Sequence, residues 1–212
     1  MMYSNNLFLF HKHSLLYLGY AFALATLFAL LDLEFLSFIA FGFLLFVAYV
    51  FRNPQKLQQN FEKDALLSPV DGRVVSVEEI EDAAFAYKVV VDSSYLDVSL
   101  LRAPMRASVV DISVFRGTRL AKSSKLFHDL NEYGTISFED EAGHTLKIEH
   151  RLTRSFAPLF VDALKDETVE KGREYGVMLS GRTSIYLPKA FKLNVNATAK
   201  LSASETLLGY FL

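Results

Sequence analysis

Two long uncharged segments near the N-terminus constrain the fold of this chain more than any other feature of its sequence. Residues 15–31 and residues 35–51 contain no charged side chain, and only Asp32, Leu33 and Glu34 separate them. As helices that rise about 1.5 Å per residue, each segment would reach roughly 25 Å, the short end of what crosses a bilayer core. The sequence therefore predicts a hairpin of two transmembrane helices over residues 1–51.

A buried soluble hairpin and a cleaved signal peptide are the alternatives to a membrane anchor. A helix that packs on a soluble core carries a polar stripe, and phenylalanines leave none in the second segment, where they stand at Phe38, Phe41, Phe43, Phe46 and Phe51. A signal peptide ends at a small-residue cleavage site, and none follows residue 31. The anchor is therefore the preferred interpretation.

Charges around the two segments predict how the anchor is oriented. Lys12 precedes the first segment, Arg52 and Lys56 follow the second, and the turn between them carries only Asp32 and Glu34. Because positive flanks stay on the cytoplasmic side, we expect both termini and the rest of the chain in the cytoplasm, at the inner (cytoplasmic) membrane.

Composition limits the partners and the chemistry. The formal net charge is −2 and the isoelectric point is near 6.2, which gives no electrostatic reason to expect nucleic acid. The chain has no cysteine. Disulfides, thiolate catalysis and cysteine-based zinc sites are therefore excluded, and we predict no metal site.

The remaining sequence predicts an α+β chain whose soluble domain is predominantly β. A polar connector with Pro54 covers residues 52–66, and residues 67–212 form the domain. Short alternating apolar runs between turn residues predict strands at 73–78, 87–91, 96–101, 108–115, 135–138, 145–150, 177–179, 183–187, 191–195 and 206–210. Apolar residues at helical spacing predict one helix over residues 153–164.

Four short motifs lie in order along the chain. They are FRNP at 51–54, SPVDG at 68–72, DVSLLRAP at 97–104 and LSGRTSIYLP at 179–188. They resemble F-R-x-P, S-P-A-D-G, D-V-H-V-N-R-A-P and F-G-S-R-V-D-V-Y-L-P of the short phosphatidylserine decarboxylase family, which includes archaetidylserine decarboxylases. Asn131-Glu132 matches an N-E pair of that family, and ASET at 203–206 resembles its A-G-E-T. The resemblance covers the chain from the anchor to the last strand.

The resemblance implies a proenzyme that cuts itself. In such enzymes a serine hydroxyl attacks the preceding carbonyl, and the new N-terminus becomes a pyruvoyl group, a self-derived cofactor. The pyruvoyl ketone forms a Schiff base with phosphatidylserine and accepts electrons as CO₂ leaves, which yields phosphatidylethanolamine. An Asp–His–Ser arrangement drives the cleavage. The implied partner is therefore a membrane phospholipid, with no metal ion or diffusible cofactor.

Two positions of the implied Asp–His–Ser arrangement differ from the family. Asp71 stands at the place of the acid, although Pro69 and Gly72 around it are also ordinary turn residues. Ser99 replaces the family histidine, and Arg102 stands where some members carry a second one; neither acts as a general base near neutral pH. The chain's own histidines are not obvious substitutes: His11, His13, His128, His144 and His150.

The Gly-Ser cleavage pair is reversed. Gly181 occupies the place of the reactive serine, and Ser180 occupies the place of the glycine. Glycine has no Oγ and cannot yield a pyruvoyl group. Ser180 could supply one, by cleavage after Leu179, if the backbone bulged by one residue, because a one-residue shift otherwise turns a strand side chain to the opposite face. The other interpretation of Ser180 is a plain strand-end serine.

Two main hypotheses follow. The first is a phosphatidylserine decarboxylase-like membrane protein of phospholipid metabolism, with Ser180 as pyruvoyl precursor, Asp71 as orienting acid and Ser99 lining the site. The second is a catalytically inactive paralogue that serves as a lipid-binding or partner-binding membrane module. A membrane-attached β scaffold without a lipid pocket is a third. The sequence leaves open the lipid headgroup, a homo-oligomer, and whether an intact paralogue supplies the activity.

Overall fold

The chain divides into a unit that holds two long helices and a second unit that runs from Lys56 to Leu212. The computed structural model describes residues 11–54, 56, 62, 64–82 and 84–212. Parts of the predicted connector, residues 55, 57–61 and 63, lie outside the described residues. The domain boundaries drawn at residues 51 and 66 stay predictions.

The N-terminal unit contains helices α1 (Ser14–Leu30) and α2 (Glu34–Val50), each of 17 residues. Asp32 adopts a left-handed conformation in the turn between them, with φ of 53°. Within the described ranges of the chain, no helix is both long and apolar enough to span a membrane. The prediction that the hairpin is transmembrane is therefore not supported, since a bilayer core requires about 20 apolar residues in a helix.

The second unit is predominantly β, as the sequence predicts. Its elements are β1 (Ala65–Leu67), β2 (Gly72–Glu79), β3 (Phe85–Ser93), β4 (Leu100–Arg102), β5 (Ala107–Phe115), α3 (Phe127–Leu130), β6 (Tyr133–Glu139), β7 (Thr145–Leu152), β8 (Phe160–Val161), β9 (Thr168–Val169), β10 (Glu174–Val177), β11 (Gly181–Pro188), β12 (Phe191–Leu193), β13 (Lys200–Leu201) and β14 (Leu207–Phe211).

Antiparallel pairing organises these strands into one large sheet and two small ones. The large sheet has eight strands in the order β13-β2-β3-β11-β7-β6-β5-β9, and the small sheets have the orders β1-β14-β12 and β4-β10-β8. β11 is central, because it pairs with β3 on one side and with β7 on the other. The start of β11 therefore lies between the ends of two neighbouring strands.

The β6–β7 hairpin illustrates how the sequence specifies these strands. Ile136 and Phe138 alternate with more exposed residues and are buried, as are Leu146 and Ile148 on the partner strand. In the turn, the Asp140 carboxylate accepts hydrogen bonds from the amides of Ala142 and His144. The apolar period of two fixes the buried face of each strand, and the aspartate closes the turn between them.

The predicted helix over residues 153–164 is wrong. This segment forms bends and the short strand β8. Its backbone hydrogen bonds go to distant residues, because the Arg154 amide donates to Arg119 and the Leu159 amide donates to the Glu132 carboxylate. Pro158 has no amide hydrogen for a helical bond. The apolar spacing comes from a chain that folds across the core, with Ala157 and Leu159 fully buried.

The predicted strand over residues 96–101 is too long. Only Leu100–Arg102 is a strand. Residues 94–97 form a turn in which the Asp97 carboxylate accepts hydrogen bonds from the amide and the hydroxyl of Ser94. The turn formed by Asp97 therefore outweighs the apolar run that follows it.

The strand predicted at 177–179 is shifted, since it is observed as Glu174–Val177.

Candidate functional site

Ser93, at the end of β3, is the meeting point of two of the sequence motifs. Gly181 pairs with Ser93 across β11 and β3, and Gly72 begins the strand on the other side of β3. The Ser93 hydroxyl donates to the backbone carbonyl of Asp71 at 2.6 Å. The Ser180 hydroxyl donates to the backbone carbonyl of Ser93 at 3.4 Å. The sheet register thus brings the SPVDG and LSGRTSIYLP motifs together.

Ser99 joins the same region through the backbone. Its carbonyl accepts a hydrogen bond of 2.8 Å from the Met178 amide, two residues before Ser180. Ser99 and Ser180 are both buried. The structure therefore places Asp71, Ser99 and Ser180 on neighbouring segments. Their chemical roles stay predictions.

The Asp71 carboxylate makes contacts that sequence reasoning missed. It accepts a hydrogen bond of 2.7 Å from the Ala203 amide and lies 3.3 Å from the ammonium group of Lys56. Lys56 Nζ also donates to Ser202 Oγ at 2.5 Å and lies 3.2 Å from Glu205. The hydrogen bond from Ser202, assisted by Lys56, lowers the pKa of Glu205 below its usual value. The ASET motif, which contains Ala203 and Glu205, was the available signal for this cluster.

Arg102 places a second buried cation nearby. Its guanidinium donates to Glu174 at 3.2 Å and to the carbonyl of Gly172 at 3.3 Å. Burial lowers the pKa of Arg102, and the charges of Glu174, Asp71 and Glu205 oppose that shift. The charges of these three carboxylates therefore stabilise the buried cations Lys56 and Arg102.

The position of the family serine has no room for a side chain. A Cβ atom on Gly181 would lie 2.5 Å from the carbonyl oxygen of Arg151 on β7 and 2.6 Å from the sulfur of Met178. Contacts this short require a shift, and the Arg151 oxygen belongs to a backbone that is paired with β11. A serine therefore does not fit at residue 181 without a movement of the sheet.

Ser180 is the hydroxyl that remains in the cleavage pair. Its Oγ donates to the Ser93 carbonyl, and its own carbonyl accepts a bond of 3.0 Å from the Thr153 amide. A neutral backbone carbonyl is too weak a base to activate a hydroxyl, and nucleophilic serines require a neighbouring base. The described surroundings of Ser180 and Gly181 therefore do not fit the formation of a pyruvoyl group.

The histidines of the second unit do not take the place of the family histidine. His150 is buried, and its ring nitrogens lie 2.9 Å from Thr183 Oγ1 and 2.7 Å from the Tyr175 hydroxyl. Burial lowers the pKa of His150 to about 3, so the ring is neutral near pH 7. His128 is exposed, and His144 closes the β6–β7 turn with Asp140. These positions agree with a structural or exposed role.

Asn131 and Glu132, the N-E pair, form a buried clamp. The Asn131 side chain bonds both the amide and the carbonyl of Leu120. The Glu132 carboxylate accepts bonds from Arg116, from Arg119 and from the Leu159 amide. Asn131 also donates to the carbonyl of Leu152, which directly precedes Thr153, and the Thr153 amide donates to the Ser180 carbonyl.

Comparison with known proteins extends the motif resemblance to most of the chain. A model of the family described as phosphatidylserine decarboxylase matches residues 43–209. The phosphatidylserine decarboxylase proenzyme of Desulfotalea psychrophila is 27% identical over 202 residues, which cover 92% of this chain and 94% of that protein. The Burkholderia mallei proenzyme is 30% identical over 169 residues, 78% of each chain. The Syntrophotalea carbinolica proenzyme is 29% identical over 195 residues, 89% of this chain and 91% of that protein.

Proposed function

This chain belongs to the phosphatidylserine decarboxylase family, and we propose that it acts in phospholipid metabolism as a phosphatidylserine decarboxylase-like protein that binds a serine phospholipid while its own chain stays intact. The family supplies the ligand class, because the similar proteins are named for phosphatidylserine. The buried charges of both signs around Asp71 supply groups that suit a phosphoserine headgroup, since that headgroup carries an ammonium group together with a phosphate and a carboxylate.

The main support for the proposal that the chain stays uncleaved is the crowding at Gly181. The reactive serine of the family would need its Cβ within 2.5 Å of the Arg151 carbonyl oxygen. Ser180 lies one residue away, and its hydroxyl donates a hydrogen bond to the Ser93 carbonyl. Asp71 does not activate this hydroxyl, because its carboxylate forms an ion pair with Lys56. Without an activated hydroxyl the chain has no route to the self-derived cofactor.

The hairpin supports a location at the inner membrane, with the second unit on the cytoplasmic side. Large apolar side chains of both helices are exposed, among them Leu15, Leu16, Phe22, Leu30, Phe35, Phe38 and Phe41. Exposed apolar surface of this extent favours a lipid or protein cover. The cations Lys12 and Arg52 flank the helices on the side opposite to Asp32 and Glu34, which favours the cytoplasm for the rest of the chain.

The intact mass of the purified full-length protein in detergent tests the uncleaved state. A single species at 23.9 kDa, the mass of the whole chain, is the expected result. Two fragments that divide between Leu179 and Ser180 would overturn it. In that case Ser180→Ala should abolish cleavage and the matched variant Ser184→Ala should not.

Headgroup binding is tested separately with soluble headgroups. We expect glycerophosphoserine to bind the uncleaved protein in calorimetric titration, and glycerophosphocholine to bind more weakly. If neither binds, the protein is a scaffold without a lipid site, and the proposal fails even though the chain is intact.

An active decarboxylase is the second candidate function. It is favoured by similarity to a proenzyme over 92% of this chain. The family model matches residues 43–209, a range that includes all the motifs from SPVDG to ASET. Self-cleavage together with release of CO₂ from phosphatidylserine would make it the leading function, with Ser180 as the source of the new N-terminus.

A further inference from the structure

Two loops beside Ser180 are fastened to each other through Tyr95. The loops are residues 94–97 and residues 153–156. The rings of Tyr95 and Phe156 stack with centroids 5.8 Å apart and planes within 4°. The Tyr95 hydroxyl donates to the Arg154 carbonyl at 2.7 Å and accepts a bond of 3.1 Å from the Phe156 amide. The loops therefore hold one fixed relative position.

Apolar side chains project from this pair of loops. Leu96 is 71% exposed and Phe156 is 36% exposed. The turn of residues 94–97 is closed by Asp97, which keeps Leu96 at its tip. Exposed apolar side chains on an ordered loop are unfavourable in water and typical of a contact surface. We call Tyr95, Leu96, Arg154 and Phe156 the lip.

The lip borders the candidate site. Ser93, whose backbone carbonyl accepts a hydrogen bond from the Ser180 hydroxyl, lies two residues before Tyr95. Thr153, whose amide donates to the Ser180 carbonyl at 3.0 Å, directly precedes Arg154. Whatever contacts the lip is therefore next to the segment that holds Ser180.

Two exposed cations lie at or near the lip. Arg154 is exposed, and its amide bonds the carbonyl of Arg119. This bond joins the lip to residues 119–125, in which Lys125 is exposed, whereas Arg119 and Lys122 are ion-paired with carboxylates. Exposed apolar side chains beside the cations Arg154 and Lys125 are complementary to the interface of an anionic bilayer.

We propose that the lip inserts into the surface of an anionic phospholipid bilayer and presents lipid headgroups to the segment around Ser180. This inference rests on the proposed function and identifies where the lipid approaches. Leu96 and Phe156 enter the acyl boundary, whereas Arg154 remains at the level of the phosphates, in the way that cationic side chains extend to the interface.

The absence of tryptophan from the chain allows a direct test with one fluorescent reporter. The full-length Leu96→Trp protein is reconstituted into phosphatidylcholine vesicles with added phosphatidylserine, with and without brominated acyl chains. We expect a blue shift and the loss of most of the emission in the brominated vesicles. The matched control is Leu164→Trp, since Leu164 is 70% exposed and lies beside the acids Asp162, Asp166 and Glu167. Its emission should be unchanged.

Arg154→Gln tests the electrostatic part. In the Leu96→Trp background it should reduce quenching in vesicles that contain phosphatidylserine, and an unchanged melting temperature would show that the loops remain folded. If the protein floats with the vesicles but Leu96→Trp is no more quenched than Leu164→Trp, the proposed insertion of the lip is wrong. The proposed function is then unaffected. Protein that does not float with the vesicles overturns both the lip and the membrane location.

Discussion

The ammonium group of Lys56 lies 3.3 Å from the carboxylate of Asp71, and the two side chains are only 9% and 14% exposed. Asp71 is the residue that the family resemblance assigns as the orienting acid. By the same resemblance, Ser99 stands at the place of the histidine that such an acid would orient. The carboxylate instead has a cation and the Ala203 amide as partners. The structure thus places Asp71 in a buried ion pair with Lys56.

Replacing Lys56 tests how much stability this ion pair provides. In Lys56→Met the carboxylates of Asp71 and Glu205 lose their shared cation. Removing one partner of a buried pair costs about 3–5 kcal/mol of unfolding free energy, and partial exposure of Glu205 makes this an upper bound. Urea unfolding of the full chain in detergent measures it. Lys189→Met, at an exposed position, is the control and should differ little from the wild type.

A double variant separates the ion pair from a general effect at residue 56. Asp71→Asn removes one of the charges that Lys56 neutralises, so Lys56→Met should cost less in that background than alone. Additive costs would contradict a direct interaction between the two side chains.

Restoring the family order at the cleavage pair should not restore cleavage. In the double variant Ser180→Gly with Gly181→Ser, the new Cβ meets the Arg151 carbonyl and the Met178 sulfur. Overpacking of this kind typically costs about 1–3 kcal/mol. We expect a lower thermal midpoint and a single species by intact mass.

Gly19 provides the control for that substitution. A Cβ at Gly19 has nothing within 4 Å, so Gly19→Ser should leave the thermal midpoint of the second unit unchanged. Self-cleavage of the Ser180→Gly, Gly181→Ser variant would mean that the sheet can move to accept the serine, and the crowding argument would be wrong.

The sequence predicted most strands because their residues alternate between core and solvent. β2, β3, β5, β6, β7 and β11 were predicted to within a few residues of their bounds. The segment of residues 153–164 was not, since its apolar residues follow a helical period while its amides bond Arg119 and Glu132 across the fold. Long-range partners of this kind leave no local signal.

The candidate site was predictable only in part for a similar reason. The motifs identified Asp71, Ser99 and Ser180, which lie on neighbouring segments. Lys56 was interpreted only as a charge that flanks the anchor, although it bonds Asp71 from 15 positions away in the chain. The crowding at Gly181 depends on the Arg151 carbonyl of another strand, and pairing between distant strands cannot be read from either strand alone.

Glu132 should be among the more sensitive acids of the second unit. Its side chain is 1% exposed and interacts with Arg116, Arg119 and the Leu159 amide. Glu132→Gln removes the charge and leaves one oxygen to serve three donors. Loss of a buried charged partner costs about 3–5 kcal/mol, measured as unfolding free energy in urea.

Glu170→Gln is the matched control for that change. Glu170 pairs with Arg106, and its side chain is 71% exposed. Exposed pairs contribute at most about 1 kcal/mol. Equal losses in the two variants would show that burial of Glu132 does not decide its contribution.

The buried His150 makes stability depend on pH in a defined window. In the folded chain burial lowers the pKa of His150 to about 3, whereas the ordinary value is 6.5. Between those values the unfolded chain binds a proton that the folded chain does not. The unfolding free energy therefore decreases as the pH falls below 6.5, by up to about 1.4 kcal/mol per pH unit for one proton.

His150→Gln removes this titration and should flatten the pH dependence. The comparison is made by urea unfolding between pH 6.5 and about pH 5, above the range where most carboxylates titrate. His128→Gln, at an exposed histidine, should keep the slope of the wild type. If the wild type and His150→Gln have the same slope, His150 is not buried as a neutral ring bonded to Tyr175 and Thr183.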